Sequence, residues 1–204
     1  YKLTKKDKEI KVARPLAFFE DMNGFAFDVT QRKPLKNLED VFESASDEQK
    51  TEMLKLALTN ERKIHIISKE KIKFENGIYF GDIKISNYDY EANLKRRLLE
   101  RVGINDEGLS LIESILEKIK VNGYSTLIHG DLALPNLLED GTLIDFEKAA
   151  YGNPIIDVTT TIEDPKNNNV NKELLKDFYL DGYKGEEKKL LNESYNIHSI
   201  FVSA

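Results

Sequence analysis

Apolar positions change period several times along this chain, and each change marks an element. Residues 12–30 hold two dense apolar and aromatic runs, VARPLAFFE and GFAFDVT, separated by Asp21-Met22-Asn23-Gly24. Such runs suit a pleated surface, and Asn-Gly takes tight-turn angles, so two strands joined by a turn are expected. Pro34 within QRKPLKNL marks the exit from that sheet. From Ser46 the period becomes helical. Ser46 with Gln49 fits a capping box, Met53, Leu54, Leu56, Ala57 and Leu58 form an apolar face, and the helix is expected to end near residues 64–67. Residues 68–86 read as irregular or as a short hairpin around Asn76-Gly77.

Two helices are expected next, over about 88–102 and 107–120, joined by Gly103-Ile104-Asn105. Leu109, Ile112, Leu116 and Ile119 give the second its apolar stripe. The segment Leu127–Glu147, LIHGDLALPNLLEDGTLIDFE, then reads as two core strands around a turn. Beyond Gly152-Asn153-Pro154 a short helix is expected from Asp157, then a polar loop, DPKNNNVN, then helices over about 171–183 and 186–201. No repeat at solenoid period is present. This order, strands, helices, a small strand cluster and more helices, suits an α+β fold better than regular βαβ alternation.

Composition narrows the setting. The 204 residues suit one domain or a two-lobed unit. No apolar run approaches the roughly 20 residues of a membrane span, and the lysine-rich start lacks the apolar core of a signal peptide. The absence of cysteine excludes disulfides and thiolate metal sites, and a cytoplasmic location is the expectation. Net charge is -6 with Lys and Arg dispersed, which argues against nucleic acid as a partner and suits a cationic small molecule. The chain starts at Tyr1 rather than Met and stops at Ala204 directly after an apolar helical pattern. A piece of a longer protein is therefore expected.

The chemistry lies in Leu127–Glu147. Asp140-Gly141 is a two-residue type I′ signal. With that turn, Glu139 would oppose Thr142, Leu138 would oppose Leu143, Leu137 would oppose Ile144, and Asn136 would face Asp145. Directly opposed side chains share a face, so an amide oxygen and a carboxylate would meet at one point, a fit for a hard cation such as Mg²⁺. Asp131 lies five residues before Asn136 and can approach the same point. One aspartate to orient a hydroxyl and take its proton, with an asparagine and a second aspartate to hold Mg²⁺ on phosphates, is the minimum set for phosphoryl transfer.

At these residues the chain resembles the aminoglycoside phosphotransferase and choline kinase-like group, the small-molecule branch of the protein-kinase-like fold. That group's H-G-D-x4-N loop is matched by His129-Gly130-Asp131 through Asn136. Its I-D-[FW]-E strand is matched by Ile144-Asp145-Phe146-Glu147, and its G-x-P-x-x-D by Gly152, Pro154 and Asp157. The resemblance implies an ATP-dependent, Mg²⁺-dependent kinase acting on a hydroxyl acceptor, with GTP as an alternative to ATP. Asp131 would be the catalytic base, Asn136 and Asp145 the Mg²⁺ ligands, and His129 and Asp157 braces of the loop. Asp28, Val29 and Thr30 fall where that group has the hinge that bonds adenine through backbone groups. Residues 1–30 would be a remnant of the N-terminal ATP-binding lobe and its hinge, and 31–204 the helical C-terminal lobe.

The chain also departs from that group. It has no glycine-rich phosphate loop, no recognisable strand lysine and no partner helix glutamate, and only about 27 residues precede the hinge position. A non-catalytic, kinase-like binding or scaffold module is thus the alternative from another class. A protein kinase fits less well, because H-R-D, D-F-G and A-P-E are all missing. His65 and His198 read as packing residues. Asp157 also reads as a helix N-cap, Glu147 as a metal support or a solvated side chain, and Glu163-Asp164 as a solvated helix end in preference to the lining of an acidic acceptor pocket. The lysines between Lys2 and Lys11 receive no phosphate role.

Overall fold

The computed structural model describes residues 15–20, 26–30, 34–80, 83–89 and 125–203, with Asn93, Ser110 and Ser114 as isolated helical positions. The two expected helices over 88–120 fall almost wholly outside the described residues. β1 (Pro15–Glu20) and β2 (Ala26–Thr30) pair antiparallel, with Phe18 opposite Asp28 and Phe19 opposite Phe27. The pairing is irregular between Pro15 and Ala17, where proline contributes no N–H to a ladder.

α1 (Leu38–Phe42) is capped by Asn37, whose Oδ1 accepts the Asp40 N–H at 2.8 Å. α2 (Asp47–Lys69) opens with the expected capping box: Gln49 N–H to Ser46 Oγ at 3.3 Å and Ser46 N–H to Gln49 Oε1 at 2.9 Å. The helix outruns the apolar pattern, for a physical reason. Its buried face continues from Leu54, Ala57, Leu58 and Ile64 into Asn60, Glu61, His65 and Ser68. Polar residues hold the end of that stripe, so hydropathy fades before the helix does. Fully burying Leu54 and Leu58 stabilises the fold by roughly 1.5–3 kcal/mol each.

β3 (Ile72–Phe74), β4 (Ile78–Phe80) and β5 (Ile83–Ile85) form an antiparallel sheet in that order. Its first turn is at Asn76-Gly77, with Asn76 in the left-handed region at φ 57°. β6 (Thr126–Ile128) and β7 (Ala150–Gly152) pair antiparallel, with Leu127 opposite Tyr151. All residues between them form one excursion whose two ends are clamped by this pairing. Ser68 joins α2 to its base, through Ser68 Oγ and Thr126 Oγ1 at 2.5 Å.

α3 (Ile155–Ile162) starts two residues earlier than the sequence implied, with Pro154 as its N-cap and the Ile155 N–H bonded to Asn153 Oδ1 at 3.0 Å just ahead of it. Asp157 is therefore inside the first turn and is not the N-cap. Within the expected polar loop, Pro165–Asn167 form a 3-10 turn, and buried Asn167 donates to the Thr161 carbonyl at 2.7 Å. α4 (Lys172–Leu180) and α5 (Gly185–Ser203) follow close to expectation. The core joins Leu54, Leu58, Val158, Ile162, Leu175 and Tyr179 of the helices to Leu132, Leu134, Leu137 and Leu143 of the excursion. It is a mixed helix and sheet fold, mostly helical. Among the described residues, no helix is long and apolar enough to cross a membrane.

Candidate active site

The excursion between β6 and β7 begins with His129-Gly130-Asp131. Asp157, from the first turn of α3, holds it from beneath. One carboxylate oxygen accepts the His129 N–H at 2.6 Å, and the other accepts the Gly130 N–H at 2.9 Å. A carboxylate can only accept, so His65 donates to Asp157 from Nε2, at 3.3 Å. His65 Nδ1 then accepts from Tyr179 Oη at 2.7 Å, and Tyr179 accepts from Tyr183 at 2.9 Å. Burial pushes the Tyr183 hydroxyl well above its ordinary range, which keeps it a donor at the head of this chain. Glu61 lies beside the chain, and one ligand atom from each of Glu61, His65 and Asp157 falls within 4.8 Å of the others. Both Glu61 oxygens are buried without a partner, and burial, then repulsion from Asp157, raises its pKa well above the usual carboxylate range. The group thus keeps its proton, and the cluster serves as a buried brace under the loop.

The histidine of the loop is tied across the excursion. A carbonyl accepts, so His129 Nε2 carries the hydrogen that bonds the Ile144 carbonyl at 2.8 Å. Its ring packs against Phe146, centroids 4.5 Å apart. This is the bracing the resemblance implied, and it explains why an imidazole stands before Gly130. Gly130 itself has φ 81°, and an added Cβ would meet the Lys148 carbonyl oxygen at 2.3 Å.

Asp131 is half-buried with its carboxylate open to solvent, Oδ2 accepting from Lys148 Nζ at 2.7 Å. Its backbone carbonyl accepts twice, from the Ala133 N–H at 2.9 Å and from Asn136 Nδ2 at 2.8 Å. Asn136 closes a 3-10 turn, Leu134–Asn136, with Pro135 setting its start. The structure thus brings Asp131 and Asn136 together through the amide of one and the backbone of the other. It also leaves Asn136 Oδ1 turned away from that bond.

The expected type I′ hairpin is not what forms. Among the described residues, Asn76 and Asp145 are the only non-glycine positions with positive φ, so Asp140 does not take the angles a type I′ turn requires. Instead Glu139-Asp140-Gly141 make a three-residue loop. The Gly141 N–H bonds the Leu138 carbonyl at 2.8 Å, and the Leu138 N–H bonds the Thr142 carbonyl at 2.9 Å. Gly141 takes φ 78°, the left-handed residue of a bulged hairpin, while Asp140 Oδ1 accepts the Thr142 N–H at 3.0 Å. The register therefore moves by one. Leu137 pairs with Leu143, and the Ile144 N–H bonds the Asn136 carbonyl at 3.0 Å. Asn136 faces Ile144 and not Asp145. Asp145 follows directly, exposed and at φ 63°, a sharp backbone reversal at the rim of the loop. α2 selects this loop: Asn60 Nδ2 donates to the Gly141 carbonyl at 2.8 Å, and a Cβ on Gly141 would press Leu56 at 2.8 Å.

Asp28, Val29 and Thr30 lie at the end of β2, opposite Phe18, Ala17 and Pro15 of β1. Glu147 is exposed. The solvated reading of Glu163 fails: it is buried, with Tyr195 Oη donating to one oxygen and Lys172 Nζ to the other, each at 2.8 Å. Asp164 accepts the Lys166 N–H at 2.9 Å and caps the 3-10 turn. Sequence reasoning missed Glu61 and Lys148 altogether. Their only advance signal was a carboxylate on a buried helix face and a lone cation in an acidic stretch.

A model of the phosphotransferase enzyme family, APH, matches residues 3–187. The chain belongs to this family. Its fold is the kinase-like fold seen in solved phosphotransferases. A type VIII aminoglycoside-3'-phosphotransferase matches at TM-score 0.57 and 18% identity, over 96% of this chain and 77% of that one. Aminoglycoside phosphotransferase APH(3'')-Id from Streptomyces rimosus, solved with ADP and streptomycin, matches at TM-score 0.57 and 14% identity, over 99% and 78%. A choline/ethanolamine kinase family protein from Mesorhizobium loti matches at TM-score 0.56 and 13% identity, over 97% and 69%. No curated protein matches this chain by sequence. As a family phosphotransferase, it carries the H-G-D-x4-N loop and the I-D-F-E segment at the positions just described.

Proposed function

We propose that this phosphotransferase is an ATP-dependent small-molecule kinase that moves the γ-phosphoryl group onto an acceptor hydroxyl. The observation that carries the reading is the loop itself. Asp131 presents an exposed carboxylate from a backbone pinned by Asp157 below and by the Asn136 amide at its side. A base must be accessible to substrate yet fixed in place, and this arrangement supplies both.

The donor set suits Mg²⁺. Asn136 offers an amide oxygen, since its nitrogen is committed to the Asp131 carbonyl, and no partner engages the Asp145 carboxylate among the described residues. Both are hard oxygen donors, and bound Mg²⁺ would neutralise charge on the nucleotide phosphates. In the reaction Asp131 orients the acceptor hydroxyl in line with the γ-phosphorus and takes its proton. Asp28, Val29 and Thr30 are the proposed adenine hinge, with residues 1–30 as a remnant of the N-terminal ATP-binding lobe and 31–204 as the helical C-terminal lobe that carries the catalytic loop. ATP is favoured over GTP because related folds have been solved with ADP. A cationic amino alcohol or aminoglycoside is the acceptor class favoured by relatives solved with streptomycin and gentamicin and by a net charge of -6.

The test is calorimetric binding of Mg-ADP beside release of ADP from Mg-ATP in the presence of hydroxylated amines. Asp131→Asn is expected to lower turnover at least about 100-fold while Mg-ADP affinity stays within about threefold. Asp145→Ala should lose turnover and the Mg²⁺ requirement of ADP binding together. An Asp131→Asn enzyme with parental turnover defeats the mechanism. Mg-ADP binding without turnover in the parent would favour the binding module instead.

A further inference from the structure

We infer that Lys148 is a catalytic cation of this site, held beside Asp131 to meet the negative charge of the transferring phosphoryl group. The inference rests on the phosphotransferase reading above and adds to it a residue outside the base and metal set. Its Nζ lies 2.7 Å from Asp131 Oδ2. Lys148 is also the only Lys or Arg between residues 121 and 165, a stretch rich in Asp and Glu. The one cation available from the whole excursion stands on the one carboxylate assigned to the acceptor.

An exposed ion pair is ordinarily an incidental surface contact. Here the backbone is built to deliver it. The Ala149 N–H bonds the Phe146 carbonyl at 3.1 Å, closing a turn over Glu147 and Lys148. Phe146 packs on the His129 ring and His129 bonds the Ile144 carbonyl, which fixes the N-terminal flank of the turn to the loop, while Ala150, paired with Ile128, holds the other flank. At Gly130 the missing Cβ lets the Lys148 carbonyl approach, since a Cβ there would come within 2.3 Å of it. The chain segments at Gly130 and Lys148 therefore lie backbone on backbone, and the lysine reaches one residue further, to Asp131. Side-chain exposures of 57% for Lys148 and 40% for Asp131 leave the pair open to a ligand.

The chemistry needs no further reactant. The acceptor oxygen forms a bond to the γ-phosphorus, its proton passes to Asp131, and the bond to the β-phosphate oxygen breaks with its electron pair leaving on ADP. Lys148 forms no covalent bond. An ammonium has three donors, so it can hold a carboxylate and a phosphoryl oxygen at once. Its charge then acts where negative charge gathers in the transition state, which raises kcat and not ground-state nucleotide affinity.

The test uses the full chain as Lys148→Met and Lys148→Arg, with Mg-ATP and water as acceptor for ADP release, and Mg-ADP with and without aluminium fluoride for calorimetry. Lys148→Met is expected to lose about 100-fold in kcat with KM for ATP within about threefold, and to lose the tightening of Mg-ADP by aluminium fluoride. Lys148→Arg should recover part of both, and melting temperatures should stay together. Parental kcat and parental aluminium fluoride tightening in Lys148→Met overturn the role of Lys148 and leave the phosphotransferase reading intact. A parent chain that neither binds Mg-ADP nor releases ADP overturns both.

Discussion

Removing the Asp157 carboxylate should detach the His129–Asp131 loop from the helical core, and its cost can be worked from the contacts. Asp157→Ala orphans the His129 N–H, buried and bonded at 2.6 Å, and the Gly130 N–H, partly buried and bonded at 2.9 Å. An orphaned buried donor costs about 1–3 kcal/mol. The Gly130 amide can recruit water and recovers part of its loss, whereas the His129 amide cannot. His65 Nε2 loses its acceptor as well, although at 3.3 Å that bond is the weakest of the three. The balance is a loss of about 3 kcal/mol, a large part of a typical stability of about 5–15 kcal/mol. Urea unfolding should show the midpoint falling by about 1–2 M at a slope near 2 kcal/mol/M. Hydrogen exchange should show lost protection at the His129 and Gly130 amides first. Asp157→Asn keeps one acceptor and sets an amide NH2 donor against the other N–H, so it should fall between parent and Asp157→Ala. A variant within about 1 kcal/mol of the parent, with both amides still protected, would refute the account of the brace.

Two further predictions concern stability. Glu61 keeps its proton in the folded state while the unfolded chain releases it above the ordinary value of 4.5, so the folded state binds more protons and stability falls as pH rises from there, by at most about 1.4 kcal/mol per pH unit. Glu61→Gln should match the parent near pH 4, exceed it at pH 7 and flatten this slope; equal slopes in thermal melts across that range would sink the idea. Gly141→Ala should cost about 1–3 kcal/mol in chemical denaturation, through φ 78° and the 2.8 Å approach to Leu56, and a neutral outcome would mean the loop does not bear on α2 as described.

Local chemistry was legible in the residues themselves. The capping box at Ser46 and Gln49, the Asn76-Gly77 turn and the order of the last helices each depend on neighbours a few positions apart. The HGD loop and the IDFE segment were recognisable as a unit because their spacing is short. The family follows from them.

Tertiary structure decided what those neighbours could not. Asp140-Gly141 is compatible with a two-residue or a three-residue hairpin, and the choice falls to α2, where Asn60 grips the Gly141 carbonyl from 81 residues away. That choice moves the register by one and takes Asp145 out of direct opposition to Asn136. The end of α2 stayed hidden because its last buried residues are polar, and their partners, Asp157, Tyr179 and Thr126, lie on distant elements. Lys148 meets Asp131 only because two backbones touch at a glycine. Sequence periodicity reports which side of an element is buried. It carries nothing about which groups from remote segments will share that buried space, and here the placing of charge around the His129–Asp131 loop depends on that sharing.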